Sequence, residues 1–141
     1  MTVTLEALYS SKILSLAASI TRNRLPDDAD VVVGRRSAVC GSSIRVGVCF
    51  DHERQIADYG HEVQACALGQ ASAAIVASHS IGLTAAALAD AMAQMEAILR
   101  GEVTEELLWP DMALLTPVRD FPPRHDAVLL PYRALTDAFM Q

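Results

Sequence analysis

Aromatic residues are scarce in this chain: one tryptophan, three tyrosines and three phenylalanines, 5% of 141 residues. Its core therefore has to come from Ala, Leu, Val and Ile, which asks for close packing of one element on another. Lysine is rarer still. Lys12 stands alone among ten arginines, and 17 acidic residues leave a net charge of −6. That balance argues against a broad phosphate-binding surface, so neither nucleic acid nor an anionic membrane is an expected partner. No apolar run reaches membrane-spanning length, since the longest, Ala65 to Ala77, includes Gln70 and Ser72. Three cysteines are too few and too odd for a disulfide framework, which points to a reducing compartment. The opening Met-Thr-Val-Thr-Leu-Glu shows no basic segment followed by an apolar one. A phosphate-cradling glycine loop, a serine nucleophile elbow and metalloprotease histidine spacing are missing too, and Gly41-Ser42-Ser43 is too short to cradle phosphate. The expectation is one cytoplasmic domain over residues 1–141, with 52% apolar residues to bury.

Periodicity outlines the elements. Leu5, Leu8, Ile13, Leu16 and Ile20 recur at helical spacing, so one helix is expected from Leu5 to Ile20, capped by Thr4. Pro26 and the aspartates around it end that pattern, and Val31 to Val33 suit the start of a strand. Ile44, Val46, Val48 and Phe50 alternate with Arg45, Gly47 and Cys49, a half-buried strand. After a polar turn at Asp51 to Arg54, Gln55 to Ala65 returns as its antiparallel partner, less regular around Gly60. Ala67 to Ile81 is apolar on most faces, the pattern of a buried helix, and Gly82 closes it. Thr84 caps a helix through Leu99, ended by Gly101, and Thr104 to Glu106 opens a turn. Prolines break up Trp109 to Asp120, and Arg124 to Met140 reads as a last helix with a kink or early break at Pro131. The fold class is α+β: a small antiparallel sheet of about three strands covered by helices.

Chemistry concentrates at two cysteines twenty-six residues apart. Cys40 lies between an Arg/Ser-rich loop and a strand, and Cys66 between a strand and a helix. A helix N-terminus favours thiolate, the form that binds soft metals and carries sulfur. A hairpin from Ser43 to Ala65 brings both to one sheet edge, with sulfur atoms expected about 4–8 Å apart. Against this stands the reading of each as a small core residue. Cys49 is out of phase with its strand's apolar positions and reads as a filler on the more exposed face. Of the histidines, His52 suits a turn, His79 a helix and His61 a surface strand position. His125 and Asp126 open the last helix, where they can complete a Cys/Cys site or, in the plainer reading, face solvent and cap the helix. Arg35-Arg36 can dock an acidic partner or simply be solvated.

Several of these segments together resemble the NifU/IscU-type iron–sulfur cluster assembly scaffold family over nearly the whole chain. Leu8-Tyr-Ser-Ser-Lys-Ile-Leu-Ser-Leu-Ala17 is similar to the family's first helix, Cys40-Gly41 to its first cysteine motif, and Cys66 with its small-residue helix to its second. Phe121-Pro122-Pro123 and Ala127-Val-Leu-Leu130 fall where the third cysteine segment lies. Ala65-Cys-Ala-Leu-Gly-Gln-Ala71 and the Arg124-His125 tail resemble a proteobacterial NifU-like subgroup. The chain departs from the family at three points. Ser42 stands at the family's aspartate, Ala127 at its third cysteine, and Asp126 at the histidine before it, with His125 one step earlier.

The resemblance implies a NifU/IscU/SufE-like fold and a scaffold, not an enzyme. Such a chain would hold iron or a nascent Fe–S cluster at Cys40 and Cys66, with His125 or Asp126 as a further iron or zinc donor, or would share a cluster between two chains. Its implied partners are a cysteine desulfurase, an iron donor and an apo-acceptor protein. Two other readings stay open: a sulfur-relay adaptor stimulating a desulfurase through one nucleophilic cysteine, and a cluster-free interaction module with a degenerate site.

Overall fold

The computed structural model describes residues 8–102 and 106–141. The expected cap Thr4 and the turn residues Thr104 and Glu105 lie outside them.

The first helical stretch is interrupted instead of running through to Ile20. Helical backbone at Leu8 gives way at Tyr9, and α1 (Ser11–Ala18) starts afresh on Ser10, whose hydroxyl accepts from the Ile13 amide. A serine oxygen can satisfy a first-turn N–H, so the Ser10-Ser11 pair competes with helix continuation. Ile13 and Ala17 form its buried stripe.

Three strands follow: β1 (Val31–Arg36), β2 (Ser43–Phe50) and β3 (Ile56–Gln64), antiparallel in the order β1-β2-β3. Val33 faces Val46 and Ser43 faces Gln64, so the β2–β3 hairpin opens beside the loop from β1. The irregularity of the second hairpin strand lies near Ala57, where the pairing slips between Cys49–Asp58 and Phe50–Ile56. Gly60 itself is in register with Gly47. Both glycines have another purpose. The segment Arg22–Asp30 crosses the outer sheet face, and a β-carbon on Gly60 would overlap the Arg24 carbonyl. One on Gly47 would touch Leu25 and Pro26. The strap is tied down by hydrogen bonds from the His61 amide to the Arg22 carbonyl (2.9 Å) and from the Phe50 amide to Asp30 (2.8 Å).

Ile44, Val46 and Val48 turn to the other face, onto the helices. α2 (Ala67–Ser78) is buried along nearly all its length, as its all-round apolar pattern requires. It stops at Ser78, before Ile81, and Gly82 takes the left-handed φ of +84° in the following turn. α3 (Ala85–Leu99) is capped by Thr84, which accepts from the Ala87 amide. The proline-broken segment is a 3₁₀ stretch, Pro110–Asp120, followed by a short 3₁₀ turn, Pro122–Arg124.

α4 (His125–Phe139) continues through Pro131 as one helix, so of the kink or early break expected there, the early break does not occur. Proline removes the amide that would bond the Ala127 carbonyl. That carbonyl lies over Gly69 of α2, and the next one, of Val128, accepts from the Ser72 hydroxyl (2.5 Å). Close packing on a small-residue helix thus supports the helix across its proline. No helix among the described residues is long and apolar enough to cross a membrane.

Candidate functional site: the cysteine end of the sheet

The open end of the β2–β3 hairpin collects the chemistry. Because Ser43 pairs with Gln64, Cys40 and Cys66 lie just beyond the same end of the sheet. Cys40 sits in the β1–β2 loop and is exposed; Cys66 is the N-cap of α2, half-buried against the core. The first turn of α4 meets both elements. The Ser37 hydroxyl donates to Asp126, and Ala127 lies against Gly69, one turn into α2.

Ser37, nearly buried, organises the Cys40 loop. Its oxygen accepts from the amides of Val39 (3.2 Å) and Cys40 (3.3 Å), an arrangement that fixes the turn. The Cys40 sulfur lies 3.4 Å from the Ser37 hydroxyl and 3.1 Å from that of Ser42. These hydrogen bonds, Ser37 first and Ser42 second, hold the thiol below its ordinary value, against slight burial and the Asp126 charge. Ser37 has a single hydroxyl proton. When Asp126 takes it, Ser42 remains to donate to the sulfur. Gly41, with φ of +75°, lets the chain turn between Cys40 and Ser42.

Asp126 is occupied on both oxygens, one by Ser37 and the other by Arg133 of the same helix. The Ser37 hydrogen bond, then Arg133, hold its carboxyl below the usual range despite partial desolvation. Arg35 of β1 pairs with Asp137 farther along α4 at 2.7 Å. His125 turns its Nε2 to the Val118 and Arg119 carbonyls, at 2.9 and 3.2 Å. A depression of about 480 Å³ beside Cys40 is lined by Leu8, Val39, Phe121, Pro123 and Arg124.

The remaining residues singled out in the sequence are dispersed. His52 is in the exposed turn. His79 closes α2, stacks on Trp109 and pairs with Asp111 at 3.1 Å. His61 is not on the surface. It is fully buried, packed edge-on to Tyr59, with Nε2 2.8 Å from the Thr21 carbonyl, and burial holds its pKa below the ordinary value. Its place opposite Val46, on the apolar side of the hairpin, put it in the core. Cys49 lies at the far end of β2, its sulfur 3.6 Å from both the Asp28 carbonyl and carboxylate. Among the described residues, the set of three donors within 4.8 Å of one another is Asp28, Cys49 and Asp58. Asp58 also pairs with Arg22 and accepts from the Tyr59 amide. Ser37 escaped the sequence reading; its only signal was its position three before Cys40, the spacing of a side-chain-capped turn.

No family model matches the chain. The crystal structure of the N-terminal region of a nitrogen-fixing NifU-like protein from Brucella abortus does, at a TM-score of 0.90 and 34% identity, covering 96% of this chain and 94% of that one. This chain belongs to the NifU/IscU-type iron–sulfur cluster assembly scaffold family. Two further relatives share its length and fold family. The iron–sulfur cluster assembly scaffold protein IscU of Thermotoga maritima is 25% identical over 131 residues, 93% of this chain and 92% of the relative. An iron–sulfur cluster assembly scaffold protein for the SUF system from Fervidobacterium islandicum AW-1 superposes at a TM-score of 0.85 with 25% identity, covering 96% and 99% of the two chains.

Proposed function

We propose that this NifU/IscU-type chain is an iron–sulfur cluster assembly scaffold, not an enzyme, whose cargo is iron or a nascent cluster held by Cys40 and Cys66. The observation that carries this reading is the Ser43–Gln64 register, which sends both cysteines out of one end of one hairpin. Cys40 is exposed and biased toward thiolate, the form that ligates iron. An exposed ligand makes the cargo labile enough to hand on. Iron and sulfide arrive from an iron donor and a cysteine desulfurase in the cytoplasm, and the product leaves on an apo-acceptor. Asp126 and His125 stand at the same end as candidate further donors, and zinc is a candidate occupant of the same thiolates.

The test is anaerobic reconstitution with ferrous iron and sulfide, followed by the ultraviolet–visible spectrum. Cluster absorption is expected in the wild type and in Cys49→Ala, and none in Cys40→Ala or Cys66→Ala with the fold intact by circular dichroism. Equal loss from all three would make the cysteines packing residues and end this reading.

One observation favours a second reading. Cys40 alone is exposed, while Cys49 and Cys66 are half-buried. A single accessible thiolate suits a sulfur relay, in which Cys40 attacks the outer sulfur of a desulfurase persulfide. The new S–S bond forms as the old one breaks, and the desulfurase thiolate leaves. In that case Cys40→Ala abolishes stimulation of the desulfurase while Cys66→Ala retains it.

A further inference from the structure

The two edges of the sheet are finished differently. The β3 edge is occupied: the His61 amide donates to the Arg22 carbonyl, the Ile56 amide to the Leu83 carbonyl, and the Gly82 amide to the Ile56 carbonyl. β1 pairs with β2 alone. The Ser37 amide donates to the Ser42 carbonyl opposite it (2.7 Å), so alternation along the ladder gives Arg35, Val33 and Val31 the bonds to β2. The backbone groups of Val32, Gly34 and Arg36 therefore point out of the sheet, and among the described residues they meet no other element. Open edges are usually blocked by lysine, proline or a bulge. β1 reads Val-Val-Val-Gly-Arg-Arg and has neither lysine nor proline. Its exposed positions are Val32, Gly34 and Arg36. Gly47 and Gly60 answer to the strap, but a β-carbon on Gly34 would meet only the Arg45 side chain, at an ordinary 3.7 Å. Nothing in this chain asks for glycine there, and glycine in a strand suits close approach of another backbone. Arg35 and Arg45 are paired with Asp137 and Glu62, whereas Arg36 joins no ion pair among the described residues. Nor does exposed Asp30, at the other end of the strand, which accepts from the Phe50 amide.

We propose that β1 pairs antiparallel with β1 of a second copy about a two-fold axis at Val33, joining two three-stranded sheets into one. That register sets Val32 of each copy against Gly34 of the other, and brings Arg36 of each to Asp30 of the other. Moving the axis to Gly34 would set Arg36 against Val32, and moving it to Arg35 would place like charges together, so charge selects Val33. The same edge serves both copies, and assembly stops at two. Because the Cys40 loop follows Arg36, antiparallel pairing sends the two cysteine ends to opposite ends of the joined sheet. Each copy keeps its own open site, and the surface is independent of the cargo.

Sedimentation of the metal-free chain tests this, in chelator and reductant so that neither metal nor disulfide joins the copies. The mass should rise with concentration from 15.1 kDa toward twice that value. Arg36→Glu places like charges together at both ends of the joined strands and should raise Kd at least about tenfold, as should Asp30→Lys. An equimolar mixture of the two variants places opposite charges together at both ends and should associate again. A wild type that stays at single-chain mass up to about 1 mM overturns the proposal. So do single variants that associate as the wild type does, or a mixture that fails to associate while both variants are folded by circular dichroism. If Asp30→Lys does not fold, hydrogen exchange decides. The Val32, Gly34 and Arg36 amides should exchange slowly in concentrated wild type and fast in Arg36→Glu; equal rates in the two overturn the pairing.

Discussion

Cys40 and Cys49 lie at opposite ends of one strand, and their surroundings push the two thiols in opposite directions. At the Cys40 end, the side chains touching sulfur are hydroxyls, of Ser37 and Ser42, and the thiol is held below its ordinary value. At the Cys49 end, burial first, then the Asp28 carboxylate, pushes the thiol up. The same residue type becomes a candidate ligand in the loop before the strand and a proton-retaining filler at the strand's far end. What decides is the loop laid over each end. The Cys40 loop is a tight turn tied by Ser37 to α4, which leaves the sulfur exposed. The Cys49 end is covered by the strap of residues 22–30, which brings an aspartate to the sulfur. A thiolate needs donors or positive charge nearby, and a carboxylate supplies neither.

The contrast can be broken most severely through the strap. Gly60→Ala should cost about 2–3 kcal/mol, because the new methyl group meets backbone and the strap must lift. Gly47→Ala should cost less, about 1 kcal/mol, since side chains of Leu25 and Pro26 can give way. Urea denaturation measures both. Equal costs would show that the strap is not held against Gly60.

The thiols themselves come next. At pH 7.5, iodoacetamide should modify Cys40 faster than Cys49, read by peptide mass spectrometry, because the Cys40 thiol is exposed and held below its ordinary value while burial and the Asp28 carboxylate push Cys49 up. The pH midpoint for Cys40 should fall below the ordinary thiol value and that for Cys49 above it. Reversal of the order would mean that the strap opens in solution.

Ser42→Ala sharpens the comparison from the other side. Loss of a donor 3.1 Å from sulfur raises the Cys40 midpoint and slows alkylation at neutral pH by roughly threefold. An unchanged profile would assign the whole effect to Ser37.

The smallest effect is on acid stability. Asp126 is held below its ordinary value in the folded chain. Its contribution to stability is therefore present above the unfolded carboxylate value and is lost as pH falls through the lower folded one. Asp126→Asn should therefore lower the melting temperature at neutral pH, where that contribution is present, and flatten its decline over the acid range, so that variant and wild type converge as pH falls. An identical acid decline in the variant would remove Asp126 from the link between the Cys40 loop and α4.

Much of the architecture was legible because it rests on local pattern. The alternation from Ile44 to Phe50, the Thr84 cap and the all-round apolar helix after Cys66 each follow from periodicity or from a side chain satisfying a nearby amide. Where reading along the chain failed, a distant neighbour had overruled it. Pro131 does not end α4 because α2 packs Gly69 and Ser72 against the carbonyls around it. His61 is in the core because β2 places Val46 opposite it. Gly60 answers to a strap more than thirty residues earlier, not to a bulge in its own strand.

The sequence by itself determined that this is an α+β member of the NifU/IscU-type family with two cysteines flanking a hairpin and no third at the family's position. Residue identity and spacing are enough for that. Only the tertiary structure decided which thiol is exposed and biased toward thiolate, and that Asp126 is already committed to Ser37 and Arg133. Those properties depend on groups 89 residues apart in the chain being brought within hydrogen-bond reach, as Ser37 and Asp126 are. Electrostatics and hydrogen bonding act through space, and no local pattern records which distant side chain will arrive.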